Sequence, residues 1–182
     1  MSIVVKINTV DKSSEFDWQS FQLNRALTNQ VDTLRFRLKR ANSSGYKPAL
    51  ADEVEILEDG ISIFGGQIVD LIETVDGLVE YVEINAKDYA FDMDKKLVVE
   101  VFESMTVDDI IADIKASYLD SAYDLTNVDC PVTINYISFN YEYPSKCLQQ
   151  LAQITNYDWY VDSEKKIYFF LKGSDASPFD LT

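Results

Sequence analysis

The stretch Asp52–Asp70, DEVEILEDGISIFGGQIVD, constrains the fold more than any other part of the chain. Val54, Ile56 and Leu57 sit among Asp52, Glu53, Glu55 and Glu58, the near-alternation of a strand with one wet face. Asp59-Gly60 then predicts a two-residue hairpin loop. Both central residues of such a loop take positive φ, which glycine adopts freely and aspartate tolerates. The second arm carries Ile61, Ile63, Ile68 and Leu71 and is interrupted by Gly65-Gly66, a pair that marks a bulge or a corner where a sheet bends.

The flanking segments repeat the strand pattern. Ser2–Val10 places Ile3, Val5 and Ile7 on one face, and Phe16–Leu27 has its apolar residues Phe16, Trp18, Phe21 and Leu23 closer to strand than to helix spacing. Thr33–Lys39, TLRFRLK, alternates Leu34, Phe36 and Leu38 inward with Arg35, Arg37 and Lys39 outward. Those three cations read either as a solvated face paired with Glu55 and Glu58 or as a binding patch. Ala41–Leu50 reads as an exposed loop, Thr74–Gly77 as a turn and Leu78–Lys87 as a further strand. About six short strands in succession predict a small antiparallel barrel or sandwich over residues 1–88.

The character changes near Asp88. Tyr89–Lys96 predicts a helical turn and Leu97–Phe102 is an apolar, β-branched run. Thr106 opens the clearest helix: Thr106 to Asp109 matches a capping box, with Asp108 and Asp109 in the first turn where the helix dipole favours negative charge. Val107, Ile110, Ile111, Ile114 and Tyr118 follow the helical stripe. At roughly 1.5–3 kcal/mol each on burial, these five outweigh a cap worth about 1 kcal/mol, so this helix must dock on a sheet. Asp120–Pro131 reads as irregular and Val132–Tyr141 as a strand. Pro144 or Ser145 starts a second helix with Cys147, Leu148, Leu151, Ala152 and Ile154 on one side, and Asn156 is suited to end it. Two strands follow, DWYVD and KKIYFFLK, joined at Asp162–Lys165. The expected fold is α+β and predominantly β. It comprises an antiparallel β-barrel-like domain at 1–88, an α+β domain with two short helices at 89–172, and a linker at 173–182 leading toward a further carboxy-terminal part.

Chemistry is bounded mainly by what the composition lacks. Sixteen basic residues against 31 acidic ones give a net charge of −15, which opposes a phosphate-tracking surface and specific nucleic-acid binding. No run approaches the roughly 18 apolar residues of a membrane span, and the amino terminus has no targeting pattern. Histidine is absent, which excludes Ser-His-Asp and Cys-His catalysis and imidazole zinc sites. Cys130 and Cys147 read as two reduced thiols, with a single disulfide left open. The catalytic candidates are paired carboxylates: Asp92 with Asp94, Asp108 with Asp109, and Glu100 with Glu103. A glycosidase needs two such groups about 5–9 Å apart across a cleft, and the ordinary alternative is solvated acids at strand and helix ends. Calcium-loop and phosphate-loop spacings are absent. No catalytic, cofactor-binding or metal-binding residue is therefore assigned. Tyr141, Tyr143, Trp159, Tyr160 and Tyr168 read as strand core, a subunit interface or a sugar-stacking platform.

The order of segments carries more information than any one of them. A strand pattern ending in DTLRFRLKR precedes the hairpin; EINAKDYAFDMDKKLVVEVFESMTVDDIIADI and ISFNYEYPSKCLQQLAQITNYDWYVDSEKKIYFF follow it. This succession resembles the hub and tail-tip proteins of tailed bacteriophages and prophages, including baseplate hubs of contractile tails and the amino-terminal module of tail-associated proteins. The most telling pieces are Ile63 to Ile68 after the hairpin, Thr106 to Ile111, and Leu148 to Ala152 followed by Trp159 to Asp162. The resemblance implies a virion structural protein at the tail tip, assembled in the bacterial host cytoplasm. It further implies a homotrimer whose barrel-like domains form a ring, docking neighbouring tail-ring and tail-tube proteins on one side and a distal spike, fibre or lytic domain on the other. Neither an enzyme nor a cofactor is implied within this segment, nor stable membrane insertion. The alternatives are a carbohydrate-binding module for host adhesion and a carboxylate-based glycan hydrolase.

Overall fold

Alternating apolar and charged residues between Ile3 and Asp88 build one seven-stranded antiparallel sheet. The computed structural model describes residues 2–25, 31–40, 47–77 and 79–174, arranged as two units, Met1–Asp92 and Met93–Thr182. The expected break at Asn29-Gln30, residues 41–46 of the expected loop and residues 175–182 of the expected linker lie outside the described residues. In the first unit the strands are β1 (Ile3–Ile7), β2 (Val10–Asp11), β3 (Phe16–Asn24), β4 (Thr33–Lys39), β5 (Glu53–Glu58), β6 (Ile61–Asp76) and β7 (Val79–Asp88). Their order is β2-β1-β5-β6-β7-β4-β3, and the sheet curls into a half-barrel. The inward residues form the core, with Val5, Ile7, Phe36, Val54, Ile56 and Ile84 fully buried and Phe16 stacked on Phe36 at 5.0 Å between ring centroids.

The hairpin at its centre follows the sequence. Asp59 and Gly60 take φ of 48° and 86°, the positive values that a two-residue loop requires. Gly65 and Gly66 mark a corner, but both remain paired; the register shifts fall instead between the pairs of Ile56 and Leu57 and between Ile68 and Asp70. At Gly66 and Gln67 β6 is paired on both sides, with Val54 and Glu53 of β5 and with Asp88 and Lys87 of β7. Two expected boundaries move. The strand expected at Ser2–Val10 is split because Asn8 and Thr9 both take positive φ, folding Val10 back against Ile7. The turn expected at Thr74–Gly77 shortens because β6 stays paired with β7 as far as Asp76 opposite Val79.

A short helix, α1 (Tyr89–Asp92), ends the first unit, and a 3-10 turn at Met93–Lys95 begins the second. There β8 (Val98–Thr106) leads into α2 (Val107–Tyr118), followed by β9 (Asp124–Val128), β10 (Thr133–Glu142), α3 (Pro144–Thr155), β11 (Tyr157–Val161) and β12 (Lys166–Leu171). β8 and β10 pair as a two-stranded antiparallel ribbon; β11, β12 and β9 form a second sheet in which β9 runs parallel to β12. Thr106 Oγ1 accepts from the Asp109 amide at 3.3 Å, as the capping box requires, and Val107, Ile110, Ile111 and Ile114 are fully buried. Asn156 ends α3 in the left-handed conformation, φ 61° and ψ 42°.

Two expectations for this unit are corrected. The segment Asp120–Pro131 is not wholly irregular, because β9 finds its partner in the distant Lys166–Phe169. Ile154, placed with the buried side of α3, is instead 61% exposed. The start of α3 also has a remote cap. Its N-cap residue Tyr143 makes no side-chain cap bond, while Ser145 donates its amide to Asp94 Oδ1 at 3.0 Å and its hydroxyl to Asp94 Oδ2 at 2.7 Å. Asp94→Ala is expected to lower stability by about 1 kcal/mol, within the range for lost caps. Urea unfolding of Asp94→Ala and Ser145→Ala checks this, since Ser145→Ala keeps the amide bond and should lose less.

Candidate functional site

The paired carboxylates separate into structural tasks. Asp92 is buried at the end of α1, and Asp94 caps α3. Asp108 Oδ1 accepts from the Cys130 amide at 2.5 Å, and its burial pushes its carboxyl above the ordinary value. Asp109 Oδ2 accepts from the Thr106 hydroxyl at 2.7 Å, holding the N-cap side chain in place. Glu100 accepts from the Tyr118 hydroxyl at 3.0 Å, and Glu103 stands exposed opposite Tyr136. These bonds tie Asp94, Asp108, Asp109 and Glu100 to neighbouring elements of the scaffold.

A hollow of about 310 Å³ opens beside β3, where four residues, Trp18 to Phe21, bulge out of register between Asp17 and Gln22. Gln19, Ser20, Gln22, Arg35, Phe36, Arg37 and Glu83 line it. Arg35 pairs with Glu83 at 2.6 Å and Arg37 with Asp17 at 2.8 Å, while Arg40 lies 3.5 Å from Glu80. Two of the three outward cations of β4, Arg35 and Arg37, are therefore matched by carboxylates, but not by Glu55 and Glu58 as the sequence suggested. Register decides the matter: β4 lies between β3 and β7, and Glu55 pairs instead with Lys6 at 3.0 Å. Arg37 also lies over the Tyr81 ring at 5.0 Å, which holds its guanidinium against the sheet.

The two thiols are free and buried. Burial pushes Cys147 up to about 12 and raises Cys130 as well, so both stay protonated and poor as nucleophiles at neutral pH. Among the described residues no group of three His, Cys, Asp or Glu gathers as a metal site. Nor is any described helix long and apolar enough to cross a membrane.

The aromatic cluster divides. Trp159 is core, 3% exposed and opposite Phe169. Tyr160 and Tyr168 stack face to face at 4.5 Å with 9° between planes, each covering one face of the other. Tyr141 and Tyr143 are exposed beside the β8/β10 ribbon, whose outer side also exposes Val99, Val101 and Tyr136. The sequence shows Leu97–Phe102 only as an apolar, β-branched run, which does not say which of its residues are covered. The exposed Tyr141 and Tyr143 leave open a protein contact, one of the readings the sequence offered for this cluster.

No protein-family model and no curated protein sequence matches the chain. Solved structures do. The 43 kDa tail protein of prophage MuSo2 from Shewanella oneidensis superposes with a TM-score of 0.75 at 13% identity, over 93% of this chain and 54% of that one. A tail protein from Neisseria meningitidis gives a TM-score of 0.72 at 15% identity, over 92% and 49% of the two chains. The E. coli c3393 protein, a component of the type VI secretion system with structural similarity to T4 bacteriophage tail proteins, gives 0.65 at 10% identity, over 93% and 49%. The chain thus has the fold of phage tail and tail-like proteins and spans about half the length of these structures.

Proposed function

We propose that the chain is a non-enzymatic structural component of a phage or prophage tail tip. In this reading three copies form a hub ring between the tail tube and a distal spike, fibre or lytic extension. The observation that carries it is the likeness to tail proteins, one of them from a prophage, across 92–93% of the chain, through both units. A sheet curled into a half-barrel but not closed supports it, since a ring needs each copy to offer its neighbour two different surfaces. The charge of −15 suits a wall along which DNA passes without sticking.

Light scattering tests the ring. The expected mass is three times the 20.8 kDa of one chain. Like-charged copies repel, so the trimer should gain from moderate salt, which screens charges beyond about 8–10 Å. A 20.8 kDa species at every concentration and salt would remove the ring as a property of this chain.

A further inference from the structure

The hollow beside β3 exists because four residues, Trp18 to Phe21, stand opposite the single residue Phe36 of β4. Side chains close the break in the ladder. Ser20 Oγ accepts from the Arg37 amide at 2.8 Å and donates to the Asp17 carbonyl at 2.6 Å, while Asp17 Oδ1 accepts from the Gln19 amide at 3.3 Å. These bonds fix the bulge against β4 around a space of about 310 Å³, at the lower end of ligand-pocket volumes of about 300–1,000 Å³.

Charge and hydrogen-bonding capacity select the ligand. The carboxylates lie deep and the guanidiniums outward: the side chains of Glu83 and Asp17 are 14% and 13% exposed, those of Arg35 and Arg37 53% and 34%. Each guanidinium is matched by one carboxylate, so the charges here come as pairs. An ionic ligand would have to break a pair and leave one partner uncompensated. An apolar ligand would strip water from guanidinium, amide and hydroxyl groups without replacing its hydrogen bonds, and Phe36 is the one apolar residue in the lining. What fits is a neutral molecule that accepts and donates at adjacent atoms. Each guanidinium keeps N–H groups beyond those facing its carboxylate, Glu83 keeps lone pairs, and Gln19 and Gln22 supply both kinds of group. The neighbouring hydroxyls of a pyranose ring have this character. We propose that the hollow binds one uncharged hexopyranose unit, with Arg35 and Arg37 donating to its hydroxyls, Glu83 accepting from them, and Gln19 and Gln22 completing the set. The site lies on β3, β4 and β7, apart from the aromatic cluster of the second unit, and does not depend on the ring.

The test is a titration of the whole isotope-labelled chain with glucose, galactose and mannose and with their methyl α-glycosides, followed by amide chemical shifts. Glucuronate, which adds a carboxylate to the same ring, and N-acetylglycinamide, a neutral peptide fragment, are the controls. At least one sugar is expected to give saturable shifts confined to Gln19, Ser20, Gln22, Arg35, Arg37 and Glu83, with millimolar affinity. Both controls should bind about tenfold more weakly. Equal binding of a hexose and its glycoside identifies a unit within a glycan; loss on methylation identifies the free sugar. Glu83→Gln leaves Arg35 without its counter-charge, so sugar binding should weaken about tenfold while glucuronate binding strengthens. Gln19→Ala, on the exposed bulge, should weaken sugar binding about threefold and leave the rest of the spectrum in place. Silence of all six sugars, a shift map elsewhere, a control that binds as tightly as the sugars, or unchanged affinity in Gln19→Ala would overturn the proposal.

Discussion

Gly66→Ala is expected to cost the first unit more than about 3 kcal/mol, enough to abolish or severely lower its unfolding transition. A Cβ at this position would lie 2.1 Å from the Lys87 carbonyl oxygen, 2.7 Å from its carbon and 2.9 Å from Asp88 Cα. All three are backbone atoms of β7, so no side chain can swing aside. Relief requires β7 to move from β6 at a point where β6 is paired on both sides, with Val54 of β5 and Asp88 of β7, and the ladder with β7 runs from Gly66 to Asp76. Gly60→Ala is the control. There φ is +86° but nothing stands within 4 Å, so the cost is backbone strain alone, about 1 kcal/mol. Urea midpoints of the two variants separate these causes. Equal losses would show that β7 yields freely and that the corner does not depend on a missing side chain.

That contrast bears on what could be read from the residues. The Asp59-Gly60 turn, the Thr106 cap and the Asn156 stop were legible because each is settled within four residues of chain. β4 was legible because one face is core and the other is wet along its whole length. The Gly65-Gly66 pair announced a bend, yet the pairing of Gly66 on both sides depends on β7 arriving later in the chain. β9 was lost for the same reason: DLTNV has little pattern of its own and is held by β12, some forty residues on. The exposed side of the β8/β10 ribbon was the least legible. Val98 and Val99 are neighbours of equal apolarity, and the packing of the inner face alone decides which is buried. Arg35 and Arg37 were recognisable as outward cations, but their carboxylates are fixed by strand order.

The second large effect is a dependence of stability on pH centred at Asp88, where β7 passes into α1. Its Oδ2 accepts from the Asp32 amide at 2.8 Å, and its Oδ1 accepts from the amides of Ala90 at 3.1 Å and Phe91 at 3.4 Å. These bonds favour the carboxylate. Burial opposes them and prevails, aided by the neighbouring Asp32 charge, and the carboxyl is pushed up from 3.8 to about 6. The folded state therefore holds this proton more tightly than the unfolded chain does. Asp88 contributes its full stabilisation below about pH 3.8 and loses it as pH rises through about 6, a change of about 3 kcal/mol. Asp88→Asn is neutral throughout and keeps one acceptor oxygen for two groups of donors, which costs about 1–3 kcal/mol at every pH. The stability of wild type relative to Asp88→Asn should accordingly fall by about 2.4 kcal/mol between pH 4 and pH 7.5, with the remaining acids cancelling in the difference. Denaturant unfolding at the two pH values measures it. A constant difference would mean that the three amide bonds outweigh burial and that Asp88 is charged in the fold well below pH 6.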